Sequence, residues 1–191
     1  MARRWPRSDL LVFADQYVRD SHWRLAPSLW LIAGLAFPFL TPATNVLSRD
    51  LQQYLSATGM SDELAYRVAF TIVRVPLTGL LGVVIAAMQC VLVPRVRPLA
   101  RRWLAAAAAA ACVSALIWLP TTLIAAQFVG DTSQGAIRPL LLTFGAGLLA
   151  GLVSFAQRRT ARRALAVHEW FVATPVVTAV LGALGGWASG A

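Results

Sequence analysis

Long stretches without a charged residue dominate this sequence, and they alternate with short segments rich in arginine. A helix needs roughly 20 largely apolar residues to cross about 30 Å of hydrocarbon. Five stretches meet that length, and each is predicted to form one membrane-spanning helix. They cover residues 25–48, 75–94, 103–130, 139–157 and 170–191. The pattern therefore predicts an all-α fold, an integral membrane bundle of five transmembrane helices.

The connections between these stretches are too short for a soluble domain, so residues 25–191 are predicted to form one five-helix transmembrane domain. Apolar residues recur at helical spacing over residues 8–19, and we interpret residues 1–24 as a cytoplasmic amphipathic segment along the membrane surface. Docking of its apolar face onto the bundle's own loops is an equally good interpretation. A second surface helix is predicted over residues 46–54, followed by a turn at residues 58–62.

The composition supports a membrane location and narrows the choice of partners. Hydrophobic residues make up 58% of the chain and charged residues 13%, and the mean hydropathy is +0.65. Soluble domains are roughly 45–50% apolar and about 25% charged. All 17 basic residues are arginine, and with 8 acidic residues they give a net charge of +9. Such a balance is also typical of nucleic-acid-binding proteins, but these arginines cluster between the spans, so we expect no nucleic-acid partner.

The positions of the arginines predict an orientation. Five precede the first span, four lie between the second and third, and four lie between the fourth and fifth. In a five-span arrangement these three segments are on one side of the membrane. Because positively charged loops stay in the cytoplasm, the N-terminus is predicted to lie inside and the C-terminus outside.

An internal repeat links residues 79–103 to residues 147–170. Each segment opens with Gly-Leu-Leu, places a glutamine ten residues later (Gln89 and Gln157), passes through four arginines and ends on a tryptophan. Each unit is predicted to be a helical hairpin, and the two hairpins run in the same direction, as a parallel tandem repeat. The hairpins cover about residues 68–126 and 139–191.

This Gln…Arg…Trp hairpin resembles the unit repeated in small polytopic bacterial membrane proteins, which are themselves uncharacterised. The resemblance covers roughly residues 79–187. The sequence departs from the repeated unit where Cys90 and Arg158 follow the glutamines, since tryptophan is common there. The resemblance implies no particular activity. With the charge distribution, it leads us to expect a multi-pass protein of the bacterial plasma (inner) membrane.

Arg74 is the one charge expected within the hydrocarbon, if the second span extends back through residues 68–73. An ionisable residue at such a position is costly to insert and is a candidate functional residue. Arg67 lies seven residues earlier on the same helical face, and the pair is predicted to bind an anionic head group or a carboxylate. The alternative is that Arg74 extends to the outer interface along its aliphatic stem. No acidic residue lies within the spans, which argues against an ion-coupled transporter.

The basic segments between the spans predict contacts with anionic lipid. A basic residue near a membrane surface attracts such lipid by about 1 kcal/mol. The candidate lipid-binding residues in these segments are Arg95, Arg97, Arg101, Arg102, Arg158, Arg159, Arg162 and Arg163.

Small residues predict close contacts between helices. Gly147 and Gly151 form one ridge in the fourth span, and Gly182 and Gly186 form another in the fifth. Close-packing faces and basic loops in a small bundle favour a non-enzymatic accessory, scaffold or assembly subunit of a larger membrane complex, with other integral membrane subunits as partners. The alternative hypothesis is a small-molecule or lipid-binding transport component, with Arg74 in its site.

No pattern in the sequence predicts catalysis, a metal or a cofactor. His22 and His168 are the only histidines, and interfacial positions explain them better than axial ligation of a haem. Cys90 and Cys112 lack the spacing of metal ligands. Only His168 with Glu169 offers an acid and a base together, so we predict no enzyme.

The tryptophans are interpreted structurally. Trp23, Trp103 and Trp170 begin spans on the predicted inner side, where aromatic residues commonly form an interfacial belt. Trp30, Trp118 and Trp187 lie deeper or farther out, and helix packing is preferred there over contact with a hydrophobic partner or pigment.

Overall fold

The computed structural model describes residues 25–92, 94–129, 137–165 and 175–190. These residues form helices and the turns between them, without a strand anywhere in the described ranges. This confirms the all-α prediction. The six α-helices are α1 (Leu25–Ala36), α2 (Leu40–Ala57), α3 (Asp62–Leu92), α4 (Ala100–Val129), α5 (Ile137–Leu165) and α6 (Pro175–Gly190).

Four helical segments are long and apolar enough to cross a membrane, as expected for a multi-pass membrane protein. A short 3₁₀ segment, Phe37–Phe39, joins α1 to α2, so the two helices form one rod. We call this continuous helix rod 1. The described part of α6 is also apolar but shorter. The four long segments are Leu29–Ala57, Asp62–Leu92, Val96–Thr122 and Ile137–Thr160.

The helix ends differ from the predicted ones in three places. Residues 46–54 are not a separate surface helix, because α2 continues unbroken to Ala57. Helix α3 begins at Asp62, well before the predicted span, and α5 extends through the predicted loop to Leu165. Arginine is a good helix former, so a helix that leaves the hydrocarbon does not end where the charges begin. The charge pattern therefore predicts where the apolar stretches lie, but it does not predict where the helices end.

The predicted turn between the first two spans is present. Its backbone closes through the Gly59 N–H, which donates to the Ser56 carbonyl at 3.0 Å, and the Met60 N–H, which donates to the Leu55 carbonyl at 3.3 Å. Gly59 has a φ of +93°, a conformation that residues with a side chain rarely adopt. The glycine therefore allows α2 to reverse direction into α3.

The helices pack as a closed ring. Consecutive helices from α3 to α6 contact one another, α2 packs against α3, and α1 packs against α6. Rod 1 therefore closes the ring, with its first half on the last helix and its second half on α3. The 3₁₀ segment lies where these two halves meet, and it contacts both α5 and α6.

Alanine and glycine allow this close packing. In a membrane, lipid is as apolar as the protein interior, so helices associate mainly through close backbone approach and dispersion contacts. In the described ranges, eight alanines from three helices are almost completely buried in the core: Ala65, Ala69, Ala86, Ala107, Ala111, Ala115, Ala146 and Ala150.

Candidate functional site

Arg74 is completely buried in the interior of the bundle. It lies 12 residues after the first residue of α3, about 18 Å along the helix, and 0% of it is exposed. The side chain therefore does not extend to the surface, as it would if its stem carried the charge out to the interface. Among the described residues it is the largest side chain that is fully buried.

Two aromatic rings contact the guanidinium of Arg74. Its Cζ lies 4.9 Å from the centre of the Phe37 ring on rod 1 and 4.7 Å from the centre of the Trp118 ring on α4. The two rings meet each other edge to face, with centroids 5.6 Å apart. Both distances lie within the range of cation–π attraction, so three helices meet at this charge.

Helix α5 holds the Trp118 ring in place. The indole Nε1–H donates to the Leu141 carbonyl at 3.1 Å. Gly145 leaves room for both rings, since a Cβ at that position would lie 2.5 Å from the Trp118 Nε1 and 2.7 Å from a Phe37 ring carbon. The ring positions around Arg74 thus depend on all the helices from rod 1 to α5.

The guanidinium uses only part of its hydrogen-bonding capacity. Its Nη1 donates to the Thr41 Oγ1 at 3.2 Å. The backbone carbonyl of Arg74 separately accepts a hydrogen bond from the Thr78 hydroxyl at 2.9 Å. Within the described ranges, the buried Nε and Nη2 atoms of Arg74 have no acceptor. The acidic residues in these ranges are all exposed: Asp50, Asp62 and Glu63. We call Arg74, Phe37, Thr41 and Trp118 the Arg74 cluster.

A proline lies beside the cluster in each helix that supplies it. Pro38 follows Phe37 within the 3₁₀ segment, Pro76 lies two residues after Arg74, and Pro120 lies two residues after Trp118. Proline removes a backbone donor and clashes with the preceding turn, so it weakens or bends a helix locally. Each of these three helical segments therefore lacks one backbone N–H donor close to the buried charge.

A second buried polar group lies near the other end of α3. The Gln89 Oε1 accepts hydrogen bonds from the Trp103 Nε1–H at 2.9 Å and from the Gln157 Nε2–H at 2.6 Å. All three side chains are buried. We call them the Gln89 cluster. The two repeated glutamines therefore contact each other directly and link α3 to α5.

Among the other predicted arginines, those whose side chains are described do not lie against Arg74. Arg67 is exposed and forms an ion pair with Glu63. Arg97 donates to the carbonyls of Cys90 and Val91, both at 3.2 Å, and so caps the end of α3. Of the remaining predicted lipid ligands, Arg101, Arg102 and Arg159 are exposed, Arg158 is partly buried, and the side chains of Arg95, Arg162 and Arg163 lie outside the described part.

The four predicted packing glycines lie in one contact within the chain. A Cβ at Gly147 or Gly151 would meet Ala179 of α6 at 3.2 Å, and a Cβ at Gly182 or Gly186 would meet α5 at 2.7 Å or less. Both ridges therefore face each other between α5 and α6. A further close approach, which the sequence did not predict, occurs between α1 and α6, where a Cβ on Gly185 would lie 2.5 Å from the Leu31 carbonyl oxygen.

Several other predicted residues bear less on the site. Trp30 is buried in the core, whereas Trp187 is half exposed. Cys90 and Cys112 are free thiols, and no group of metal-ligating side chains occurs in the described part of the chain. The interpretations placed on Trp23, His22, His168, Glu169, Trp170 and the surface segment at residues 1–24 concern residues outside that part.

The aromatic partners of Arg74 were not predicted from the sequence. Phe37 and Thr41 are more than 30 residues from Arg74, and only the packing of rod 1 against α3 brings them together. The sequence favours a packing role for Trp118. Its position deep in a span, away from the predicted membrane interface, is the one feature that sets it apart from the interfacial tryptophans.

The sequence matches no known family model, and no curated protein or solved structure is significantly similar to it.

Proposed function

We propose that this protein is a non-enzymatic membrane component that binds an anionic small molecule or lipid group at Arg74, in a binding or transport role. One observation carries the proposal. A permanently charged side chain is 0% exposed, and two of its nitrogens have no acceptor among the described residues. A site of this kind accepts an anion better than any other class of ligand.

The energetics favour an anionic ligand. Even after relaxation, burial of an ion costs roughly several kcal/mol. The Phe37 and Trp118 rings offset part of this cost, at about 2 kcal/mol for a desolvated cation–π contact, and the Thr41 hydroxyl accepts one hydrogen bond. No carboxylate in the described ranges neutralises the charge. A bound anion would supply both the missing charge and the missing acceptors.

The accessory-subunit hypothesis receives less support from the geometry. It rests on the basic loops and on close-packing faces that could serve either within the chain or against a partner, and the two glycine ridges lie against each other between α5 and α6. The same glycines are therefore already used within the chain. The accessory role stays a hypothesis, and we place it second.

The Arg74 site is tested by comparing two arginine-to-methionine variants. Methionine is unbranched and apolar, and replacing a buried ion with an apolar residue is often neutral or stabilising, so Arg74→Met should fold. Arg67→Met is the matched control, because Arg67 is exposed on the same helix. Each protein is incubated with a total lipid and metabolite extract, purified in mild detergent and analysed by native mass spectrometry.

We expect an anionic species on the wild type and on Arg67→Met, and its loss from Arg74→Met. The proposal fails if all three proteins carry the same species at the same occupancy. It also fails if the wild type carries no anionic species after exposure to the extract.

For the topology we propose five spans arranged as parallel hairpins, with the N-terminus inside and the C-terminus outside. The support is the asymmetric arginine distribution together with the contact between the repeated glutamines. Reporter fusions after Gly130 and after Ala191 should both give an external signal. An internal signal at Ala191 would mean an even number of spans.

A further inference from the structure

The two unused nitrogens of Arg74 lie on the same edge of its guanidinium. A guanidinium is planar and carries five N–H donors in a fixed fork. Nη1 lies on the side of the aliphatic stem and donates to Thr41. The Nε–H and one N–H of Nη2 point away from the stem, side by side and nearly parallel. These are the two buried nitrogens that have no acceptor in the described part of the chain.

The neighbours of Arg74 leave one edge of its guanidinium for a ligand. The Phe37 and Trp118 rings lie against the guanidinium at 4.9 and 4.7 Å, and the Nη1 corner is occupied by Thr41. Because the two ring centroids lie only 5.6 Å apart, both rings lie on one side of the guanidinium. The donors that remain for a ligand are those of the Nε–Nη2 edge. An in-plane approach to this edge suits two acceptors placed side by side, because both hydrogen bonds are then linear.

Building on the anion-binding function proposed above, we infer that the ligand is a monoanion with two adjacent oxygens, a carboxylate or a phosphodiester, which binds side-on to Nε and Nη2 of Arg74. Two parallel N–H···O bonds form with this chemistry and not with a single-centre ion such as a halide. The charge also matches, since one guanidinium neutralises one negative charge. A dianion would leave a net charge in the apolar interior.

Entry of such a ligand requires the helices to part locally. The edge is buried, so a closed bundle does not expose it. Pro38, Pro76 and Pro120 lie beside the cluster in all three of the helices that supply it. Weakened helical hydrogen bonding at these positions allows local bending, and it places the opening next to Arg74.

The experiment uses the full chain in a neutral maltoside detergent and follows its thermal unfolding as ligand is added. Sodium decanoate supplies a carboxylate, with decanol as its uncharged match. Dihexanoyl phosphatidylglycerol supplies a phosphodiester, with dihexanoylglycerol as its match, and sodium bromide supplies a single-centre anion. Wild type, Arg74→Met and Arg74→Lys are compared, because lysine keeps the charge but has no fork.

We expect decanoate, the phosphatidylglycerol or both to raise the unfolding temperature of the wild type saturably, whereas their neutral matches and bromide do not. Arg74→Met should lose the effect, and Arg74→Lys should bind at least about tenfold more weakly. Stabilisation by decanoate alone identifies a carboxylate ligand, and stabilisation by the phosphatidylglycerol alone identifies a lipid phosphodiester.

A second measurement needs only proteins expected to fold. In ¹⁵N-arginine-labelled protein, the Arg74 Nε–H resonance is the signal missing from Arg74→Met. It should move on addition of the two-oxygen anion and stay in place with bromide. If bromide stabilises the wild type as well as decanoate does, or if Arg74→Lys binds equally well, the two-oxygen inference is overturned while anion binding stands. If none of the anions affects the wild type, both proposals are overturned.

Discussion

The Arg74 and Gln89 clusters are each centred on a buried polar residue of α3 and each include a tryptophan of α4, yet their hydrogen bonding differs. Arg74 and Gln89 are separated by 15 residues of one helix, which is about 22 Å. In the Gln89 cluster one carbonyl oxygen accepts from two donors, and every group is neutral. In the Arg74 cluster the central group is charged and keeps two donors without an acceptor in the described ranges. A neutral, paired cluster holds helices together, whereas a charged and partly unpaired one is suited to binding a ligand.

The internal repeat sharpens this difference. Both glutamines of the Gln89 cluster come from equivalent positions of the two copies. With the same offsets, of 68 residues before the glutamine and 67 after the tryptophan, Leu142 and Gly185 of the second copy correspond to Arg74 and Trp118 of the first. The Arg74 cluster is therefore a departure from the repeat. It also takes Phe37 from rod 1, which lies outside the repeated hairpins.

The largest effect is expected from Trp118→Ala. The substitution removes a buried ring and one aromatic contact of Arg74. It should lower the free energy of unfolding by about 3–5 kcal/mol and weaken ligand binding as well. Trp187→Ala is the matched control, since its ring is half exposed. Reversible unfolding in mixed detergent micelles gives the free energy of unfolding of both variants. Equal losses of stability would contradict the distinction between the buried and the half-exposed tryptophan.

A smaller effect is expected from Gln157→Leu. The change removes one of the two donors to the Gln89 Oε1 and leaves the bond from Trp103 in place. Hydrogen bonds between membrane helices average about 0.6 kcal/mol, with a maximum of about 1.7. We expect a loss of stability in that range, and a response to decanoate or phosphatidylglycerol equal to that of the wild type.

A double-mutant cycle with Gln89→Leu isolates the glutamine pair. The cycle compares each single variant with the double variant by the same unfolding measurement. A coupling energy near zero would mean that the contact between the repeated glutamines does not stabilise the bundle. A changed ligand response in either single variant would contradict the separation of the two clusters.

The sequence predicted the helices well because a membrane leaves few alternatives. Apolar stretches of sufficient length must be helical to satisfy their backbone groups, and α4 lies within a few residues of its predicted range. The predictions failed at the helix ends, as in α5, which continues past Arg158 and Arg159. Outside the hydrocarbon a helix can continue into water and keep its backbone hydrogen bonds. The charged residues therefore do not mark where the helix ends.

The candidate site was only half predictable. Arg74 was identified from the sequence because a lone charge in an apolar stretch is rare and costly. Its neighbours depend on how the 3₁₀ segment Phe37–Phe39 joins the two halves of rod 1 and on how closely α5 approaches at Gly145. These are properties of the packed bundle, and no local pattern encodes them. The repeat similarly predicted equivalent glutamines, but their contact depends on the angle between α3 and α5.

The smallest effect on stability is expected from substitution of the exposed arginines. The experiment distinguishes these arginines from the buried Arg74. Arg101 and Arg102 are exposed at the start of α4, so replacing both with glutamine should change the free energy of unfolding by no more than about 0.5 kcal/mol. The same change should reduce co-purified anionic lipid, since each basic residue near the surface attracts it by about 1 kcal/mol.

Salt should also reduce the anionic lipid that co-purifies with the wild type, because exposed charges are screened over about 8 Å at physiological ionic strength. The ligand of Arg74 should remain bound at high salt, since buried charges are screened far less. Quantitative lipid mass spectrometry at low and high salt makes the comparison. If salt removes all anionic species together, or if the double variant also loses the ligand of Arg74, the buried and exposed arginines belong to one surface site.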